Sequence, residues 1–269
     1  LSKNIGIIGC GWLGLPLAQS LKEHGHTVYG TTTTTDKLTL LQDSGIVPFQ
    51  VCLSEGGISG NIQEFLANNE VFIINVPPKL RGATSENYVD KMRHLYSAIK
   101  TSAIKKVIFI SSTSVYGAAQ GTLTEDTLPQ PTTEAGKQIL ASENIFRNDS
   151  DLNTTIIRFG GLIGPDRHPV YQLSGRKDLT NGDQHINLIH LNDCIRVIRS
   201  VLKKDLWDHV FNAVYPHHPT KRDYYTEEAI KRGLVPPNFL DNSTEKIDKI
   251  IKSNHYNVKN YLFHTSIIS

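Results

Sequence analysis

The chain has 269 residues, 39% hydrophobic and 20% charged, enough apolar material to bury a core without disulfide or metal staples. Its 20 Gly and 12 Pro are an ordinary globular share, which excludes collagenous and low-complexity chains. The net charge is +2 with no basic stripe, and apolar runs such as 71–74 and 107–110 fall far short of the roughly 20 residues of a membrane span, so neither nucleic acid nor membrane is an expected partner.

Residues 5–8 read as a strand, and Leu13, Leu17 and Leu21 then mark one face of a helix that Gly25 stops. Residues 27–31 read as a second strand, 38–43 as a helix ended by Gly45, 47–53 as a third strand, and 71–75 as a strand buried on both faces. Tyr88, Met92, Leu95, Tyr96 and Ile99 keep a helical period; 106–111 is a strand, 134–146 a helix and 154–158 a sixth strand. This alternation predicts a parallel sheet with right-handed crossovers, the doubly wound α/β class. Past Gly160 the pattern loosens into a loop to Gly182, a brief strand at 187–190, a helix with Cys194, Val197, Ile198 and Val201 on one face, and a strand at 210–213. Thr220 followed by Asp223 resembles a capping box, and short helices are expected around Pro236 and Pro237. The expected division is a dinucleotide-binding domain over 1–165 and a smaller, mixed substrate portion over 166–269, with 187–213 returning to the sheet domain.

A strand pattern begins almost at once, at KNIGIIG, so no signal peptide is expected. Cys10, Cys52 and Cys194 are odd in number and widely spaced, which predicts free thiols and a cytoplasmic, reducing setting. The pair His217 and His218 lacks a third ligand at metal spacing, so no metal site is expected.

Gly9-Cys10-Gly11-Trp12-Leu13-Gly14 has G-x-G-x-x-G spacing between a predicted strand and a predicted helix, the context a Rossmann-type dinucleotide turn requires. Gly9 allows the tight turn, Gly11 lets the backbone approach a pyrophosphate, and Gly14 allows close helix–strand packing. An NAD site tends to carry an acidic residue about 20 positions further on. Here that count reaches Thr32, with Thr31 and Thr33 beside it and Lys37 nearby. Hydroxyls and a lysine suit a 2′-phosphate, so the expected cofactor is NADP, with NAD possible; the alternative is that the threonines are only a β-branched strand end.

The fifth strand ends in Ser111-Ser112-Thr113-Ser114-Val115-Tyr116-Gly117. This stretch resembles the SS-x-x-VYG element of the extended short-chain dehydrogenases/reductases, the group of nucleotide-sugar epimerases and dehydratases. Residues 158–165, RFGGLIGP, resemble the family's loop beside the nicotinamide, and 187–193, NLIHLND, its later H-x-x-D element. The GWLG start, SSTSVYG and a loop containing RHP are similar to an atypical bacterial branch, the YeeZ-like proteins. The resemblance covers nearly the whole chain and implies cofactor contacts by Asn75, Val76, Pro77, Ser111, Phe159, Gly160 and Gly161. It further implies that Ser112 hydrogen-bonds the substrate oxygen and that Lys137 holds the nicotinamide ribose.

Two departures stand out. The family's usual first glycine falls on Ile8, and its Y-x-x-x-K pair aligns with Thr133 and Lys137, so the lysine is kept and the tyrosine is lost. Threonine is far less acidic than a phenol and cannot replace it in general acid–base transfer near neutrality. Tyr116 is the nearest other phenol, and Arg167 and His168 are candidates for gripping an anionic substrate. His190 and Asp193 read as a strand-to-helix junction, Asp193 complementing the helix N-terminus.

These readings predict an NAD(P)-binding oxidoreductase or epimerase-like enzyme on a small polar, possibly nucleotide-sugar, substrate, acting as a monomer or homodimer. The alternative is a non-catalytic NADP(H) sensor. A β-hydroxyacid dehydrogenase, which the glycine spacing and Pro16 suggest, would need an all-helical C-terminal half, against the strands at 154–158 and 210–213.

Overall fold

The apolar runs become the strands of one sheet. In the computed structural model, which describes residues 2–78, 86–240, 248–255 and 263–268, the first half runs β1 (Asn4–Ile8), α1 (Gly14–Glu23), β2 (Thr27–Thr32), α2 (Asp36–Asp43), β3 (Val47–Ser54), β4 (Gly57–Gly60), α3 (Ile62–Ala67), β5 (Val71–Ile74) and α4 (Tyr88–Lys100). The second half runs β6 (Lys106–Ser112), a 3₁₀ turn (Thr113–Tyr116), β7 (Gly121–Leu123), α5 (Glu134–Arg147), β8 (Asn153–Phe159), β9 (Gly161–Ile163), α6 (Val170–Leu173), β10 (Leu188–His190), α7 (Leu191–Lys204), β11 (Val210–Ala213), α8 (Lys221–Lys231) and β12 (Lys249–Ile251).

Eight strands form one sheet in the order β11-β8-β6-β5-β1-β2-β3-β4. Every neighbouring pair is parallel except β3 and β4, where the chain turns back as an antiparallel edge hairpin. The order reverses between β1 and β5, and in such sheets ligands bind in the crevice outside the strand ends at that switch point. Gly9 follows β1 and Asn75 follows β5, so both candidate cofactor residues lie at this crevice.

Two apolar layers sandwich the sheet. Leu13, Leu17 and Leu21 of the first helix region pack with Leu41 of α2 and with Cys194, Val197, Ile198 and Val201 of α7 on one face. Phe65, Tyr88, Met92, Leu95, Ile99, Ile139 and Phe146 from α3, α4 and α5 cover the other. A third, smaller cluster of Ile163, Val170, Ile186, Tyr224, Tyr225 and Phe239 is the core of the C-terminal portion, where β9 pairs with β10 and β7 with β12.

The predicted strands and helices through β8 are present, with ends shifted by one or two residues. The segment 160–182, expected as a loop, contains β9 and α6. The short helices expected around Pro236 and Pro237 do not form within the described residues; 232–240 is irregular and 249–251 is a strand. Thr220 is the N-cap expected, but the box is not closed: its hydroxyl accepts from Asp223 N–H and donates to the Asp223 carboxylate, which does not reach back to the Thr220 N–H.

Candidate functional site

The glycine turn is built by steric demand. Gly9 has φ +98°, and a Cβ there would lie 2.4 Å from Asn75 O; a Cβ on Gly14 would lie 2.2 Å from Gly9 O. Gly11 is different, because a Cβ there would meet nothing within 4 Å. Its bareness therefore leaves open space in front of the helix instead of relieving a clash. No side chain caps the N-terminus of α1. Trp12 and Leu13 N–H make no hydrogen bond among the described residues, and the aligned peptide dipoles add positive potential there. Two unengaged N–H groups thus lie beside open space at the switch-point crevice, an arrangement that can hold an anion.

The neighbouring strands hold the turn in place. Asn75 Nδ2 donates to Gly9 O at 2.8 Å, and Thr31 Oγ1 accepts from Gly9 N–H at 3.0 Å. Cys10 N–H donates to Thr31 O at 3.0 Å. Three expectations change as a result. Thr31 is buried and holds the turn, so its hydroxyl does not face a ribose. The Cys10 N–H is committed to the sheet, and its thiol, buried in the core with its pKa pushed up to about 12 by desolvation, faces away from the crevice chemistry. Thr32 is buried and its hydroxyl closes a local turn with Thr34. Thr33, just past the tip of β2, and Lys37, in the first turn of α2, are exposed.

At the end of β6 the two serines part ways. Ser111 is buried and donates to the Glu143 carboxylate, which also accepts from Arg158 Nε at 3.0 Å and Nη2 at 2.7 Å. The cofactor contact expected of the Ser111 hydroxyl is thus replaced by a core network. Ser112 Oγ is half-buried and accepts from Ser114 N–H at 3.1 Å, while its own hydrogen has no acceptor among the described residues.

Tyr116 is fully buried. Its Oη accepts from Arg158 Nη1 at 3.1 Å and lies 2.8 Å from Asn212 Oδ1 and 2.9 Å from Thr124 O. Desolvation raises its pKa, the wrong direction for a proton donor. It is a core residue and not the substrate contact expected.

Thr133 is the N-cap of α5, its hydroxyl accepting from Gly136 N–H at 3.1 Å. Lys137 is exposed and its ammonium makes no hydrogen bond among the described residues, because α5 turns Gly136, Ile139, Glu143 and Phe146 inward. Six residues separate Glu143 from Lys137, which sets the two side chains about 120° apart around the helix. The ribose-holding role expected of Lys137 finds no support in this geometry.

The 164–168 loop also departs from expectation. His168 is buried, bonded to Tyr224 Oη at 2.9 Å and to Val170 N–H at 3.1 Å, and desolvation lowers its pKa to about 4. A neutral buried imidazole cannot grip an anion. Arg167 lies over the Trp12 ring, 5.0 Å from its centroid, and Trp12 Nε1 donates to Asp166 Oδ1 at 2.9 Å. The loop thus fastens onto the glycine turn itself.

Asn187 O lies where a Cβ on Gly160 would be, at 2.6 Å, and Leu188 Cδ2 would be 2.7 Å from one on Gly161, so β10 and its approach explain both glycines. Phe159 is buried in the core, Val76 O accepts from Tyr88 Oη at 2.8 Å, and Pro77 is exposed beside the crevice. His190 caps α7 by accepting from Asn192 N–H, and buried Asp193 binds Arg196 and the N–H groups of His264 and Thr265. Among residues the sequence did not single out, Glu143 and Asn212 organise the site from behind, and Lys221 and Lys249 line a second cleft. Asn75, expected as a cofactor contact, also acts from behind through Nδ2. Only that strand-end Asn opposite the glycine turn offered a usable signal.

The NAD dependent epimerase/dehydratase family model matches residues 5–213. Protein YeeZ of Escherichia coli K12 is 34% identical over 250 residues, covering 93% of this chain and 91% of that one. Two solved structures share the fold. A UDP-N-acetylglucosamine 4-epimerase from Bacillus cereus superposes with a TM-score of 0.76 at 17% identity, covering 98% of this chain and 94% of the other. MoeE5 in complex with UDP-glucose and NAD gives a TM-score of 0.75 at 19% identity, with the same coverages of 98% and 94%. The chain belongs to the NAD dependent epimerase/dehydratase family.

Proposed function

We propose that this family member binds NADP(H) at the glycine turn and transfers hydride to or from a small polar substrate. The observation that carries the reading is Gly11: open space before an uncapped helix, with Trp12 and Leu13 N–H unengaged among the described residues. In that crevice Gly9, Gly11 and Gly14 shape the pyrophosphate seat, and Asn75 braces it by holding Gly9 O. Backbone of Val76, Pro77, Gly160 and Gly161 is proposed to flank the rest of the cofactor. When bound, the nicotinamide supplies the hydride chemistry. On this chain the Ser112 hydroxyl, with its hydrogen uncommitted, donates to the substrate oxygen. MoeE5 is in complex with NAD; the preference for NADP here rests on exposed Thr33 and Lys37 with Thr32 where an acidic residue would sit. A nucleotide-sugar substrate draws support from the UDP-glucose in complex with MoeE5, and a cytoplasmic setting from the free thiols of Cys10, Cys52 and Cys194.

A second reading, a dinucleotide sensor without turnover, is favoured by one observation. The groups aligned with the family's proton-transfer pair are an N-capping Thr133 hydroxyl and an exposed Lys137, and general acid–base transfer is worth about 10²–10⁴-fold. Fluorescence titration with NADPH and NADH tests the cofactor assignment. We expect tighter NADPH binding, lost in Gly11→Val, whose added side chain enters the anion seat without a clash that would unfold the chain. NADH binding as tightly as NADPH refutes the 2′-phosphate preference, and wild-type affinity in Gly11→Val refutes the site.

A further inference from the structure

A second concavity, of about 400 Å³, opens where the 3₁₀ turn after β6 meets residues 184–188, α8 and β12; Thr113, Gly117, His185, Lys221 and Lys249 are among its lining residues. It begins one residue beyond Ser112. Both lysines are half-buried, and desolvation lowers the pKa of each, with Lys249 lowering that of Lys221 further. Lys221 Nζ donates to Gln184 Oε1 at 2.6 Å and Lys249 Nζ to Gly117 O at 2.9 Å. Each ammonium has three N–H donors, and neither lysine pairs with a carboxylate among the described residues. Asp248 is the carboxylate nearest Lys249 in sequence, and both its oxygens bind His185, Oδ1 the backbone N–H at 3.1 Å and Oδ2 the ring Nδ1 at 2.7 Å; Asp223, two residues beyond Lys221, accepts from the Thr220 hydroxyl at 2.7 Å. The N-terminal N–H groups of α8 are committed too: Lys221 N–H to Gln184 O and Arg222 N–H to Gly182 O. Two like charges therefore share a partly dehydrated cleft, each ammonium donating only to a neutral oxygen among the described residues while the Asp248 carboxylate is engaged by His185. That arrangement is costly when empty and is relieved by an anion that accepts from both.

We propose that this cleft binds the phosphate monoester of a small substrate between Lys221 and Lys249, with the substrate's reacting end toward Ser112. The proposal rests on the reading of Ser112 as the substrate-facing group. Two cations match the charge of about −2 on a phosphate monoester near neutrality. A volume of about 400 Å³ lies near the lower end of ligand pockets, about 300–1,000 Å³, and suits a phosphorylated sugar-sized molecule more than a whole nucleotide sugar, so the small polar substrate proposed above is narrowed to that class and its nucleotide-sugar variant set aside.

Calorimetry with inorganic phosphate on the full chain tests this. The titration is run in the Gly11→Val background, so that the glycine turn does not compete, and is repeated with Lys221→Gln and Lys249→Gln. We expect phosphate binding in Gly11→Val, weakened at least about tenfold by either lysine substitution and abolished by both. Lys221→Gln and Lys249→Gln in the wild-type background should bind NADPH as before, which shows that they fold. No phosphate binding in Gly11→Val, or unchanged binding in the lysine variants, overturns the proposal while leaving the cofactor assignment standing. Loss of NADPH binding in wild type with phosphate still bound at the lysines refutes the cofactor reading instead.

Discussion

Glu143→Ala is the perturbation that the core of the site resists most strongly. Glu143 and Arg158 side chains are 1% and 3% exposed, and two charge-assisted bonds join them. Removing the carboxylate leaves a guanidinium in the core with only Tyr116 Oη as acceptor among the described residues, and removes the acceptor of the Ser111 hydroxyl. Breaking one side of such a pair costs about 3–5 kcal/mol. In a chain of 269 residues an unfolding entropy of about 2.1 cal/mol/K per residue makes each kcal/mol about 1.8 °C. The expected fall in Tm is therefore about 5–9 °C by differential scanning calorimetry. The paired replacement Glu143→Met with Arg158→Met removes both charges and keeps volume, so it should be less destabilised than Glu143→Ala. A fall under about 2 °C for Glu143→Ala, or a double variant less stable than the single one, would refute the claim that an unpaired buried charge is the cost.

Stability should also depend on His168. Its folded pKa, about 4, lies below the ordinary 6.5 because burial disfavours the charged ring. The unfolded chain then takes the proton first, so this contribution is complete above pH 6.5 and is lost at up to about 1.4 kcal/mol per pH unit between 6.5 and 4. Urea unfolding at stepped pH should show a shallower acid slope in His168→Gln than in wild type; equal slopes contradict the assignment. Trp12→Phe removes the Nε1 bond to Asp166 and should cost about 1 kcal/mol, yet leave NADPH affinity within about threefold, because backbone N–H groups face the anion; a tenfold loss in titration would show that the indole itself holds cofactor.

The alternating layers and the glycine turn were readable because both are local. Period-two and period-3.6 patterns repeat within a few residues, and G-x-G-x-x-G acts through steric contacts between neighbouring elements. The edge strand β4 was not readable, since 57–60 is GISG, and Gly60 (φ +94°) is required only by Gln50 O across the hairpin. The pairing of β7 with β12 joins Gly121 to Lys249, which no local period encodes. Site residues failed in a consistent way. Ser111, Tyr116 and Thr31 carry the side chains that crevice chemistry uses, but each is turned inward to a partner distant in sequence: Glu143, Asn212 and Gly9. Glu143 in the middle of an amphipathic helix looks like a solvated residue until Arg158 is brought opposite it by the β6–β8 pairing.

The contact of Trp12 with the 164–168 loop bears on whether the chain works as an enzyme or as a sensor. A sensor needs an element with two arrangements that the ligand biases. Here the chain's own contacts hold the 164–168 loop and, through it, the C-terminal core to the glycine turn. Gly164 has room for no side chain because Trp12 Cζ2 lies 2.7 Å from where its Cβ would be, Asp166 accepts from the indole, and Arg167 lies over it. The loop then enters the C-terminal core through His168, bonded to Tyr224, whose hydroxyl in turn donates to Ile267 O at 2.7 Å. Each link is a packed contact or a short hydrogen bond with both partners in place. A brace of this kind fixes the distance between the glycine turn and the proposed substrate cleft, which is what the proposed hydride transfer needs, since reacting atoms must be held about 3–3.5 Å apart. It also works against relative movement of the two parts, which a sensor needs. The braced geometry supports the proposed enzyme over the proposed sensor.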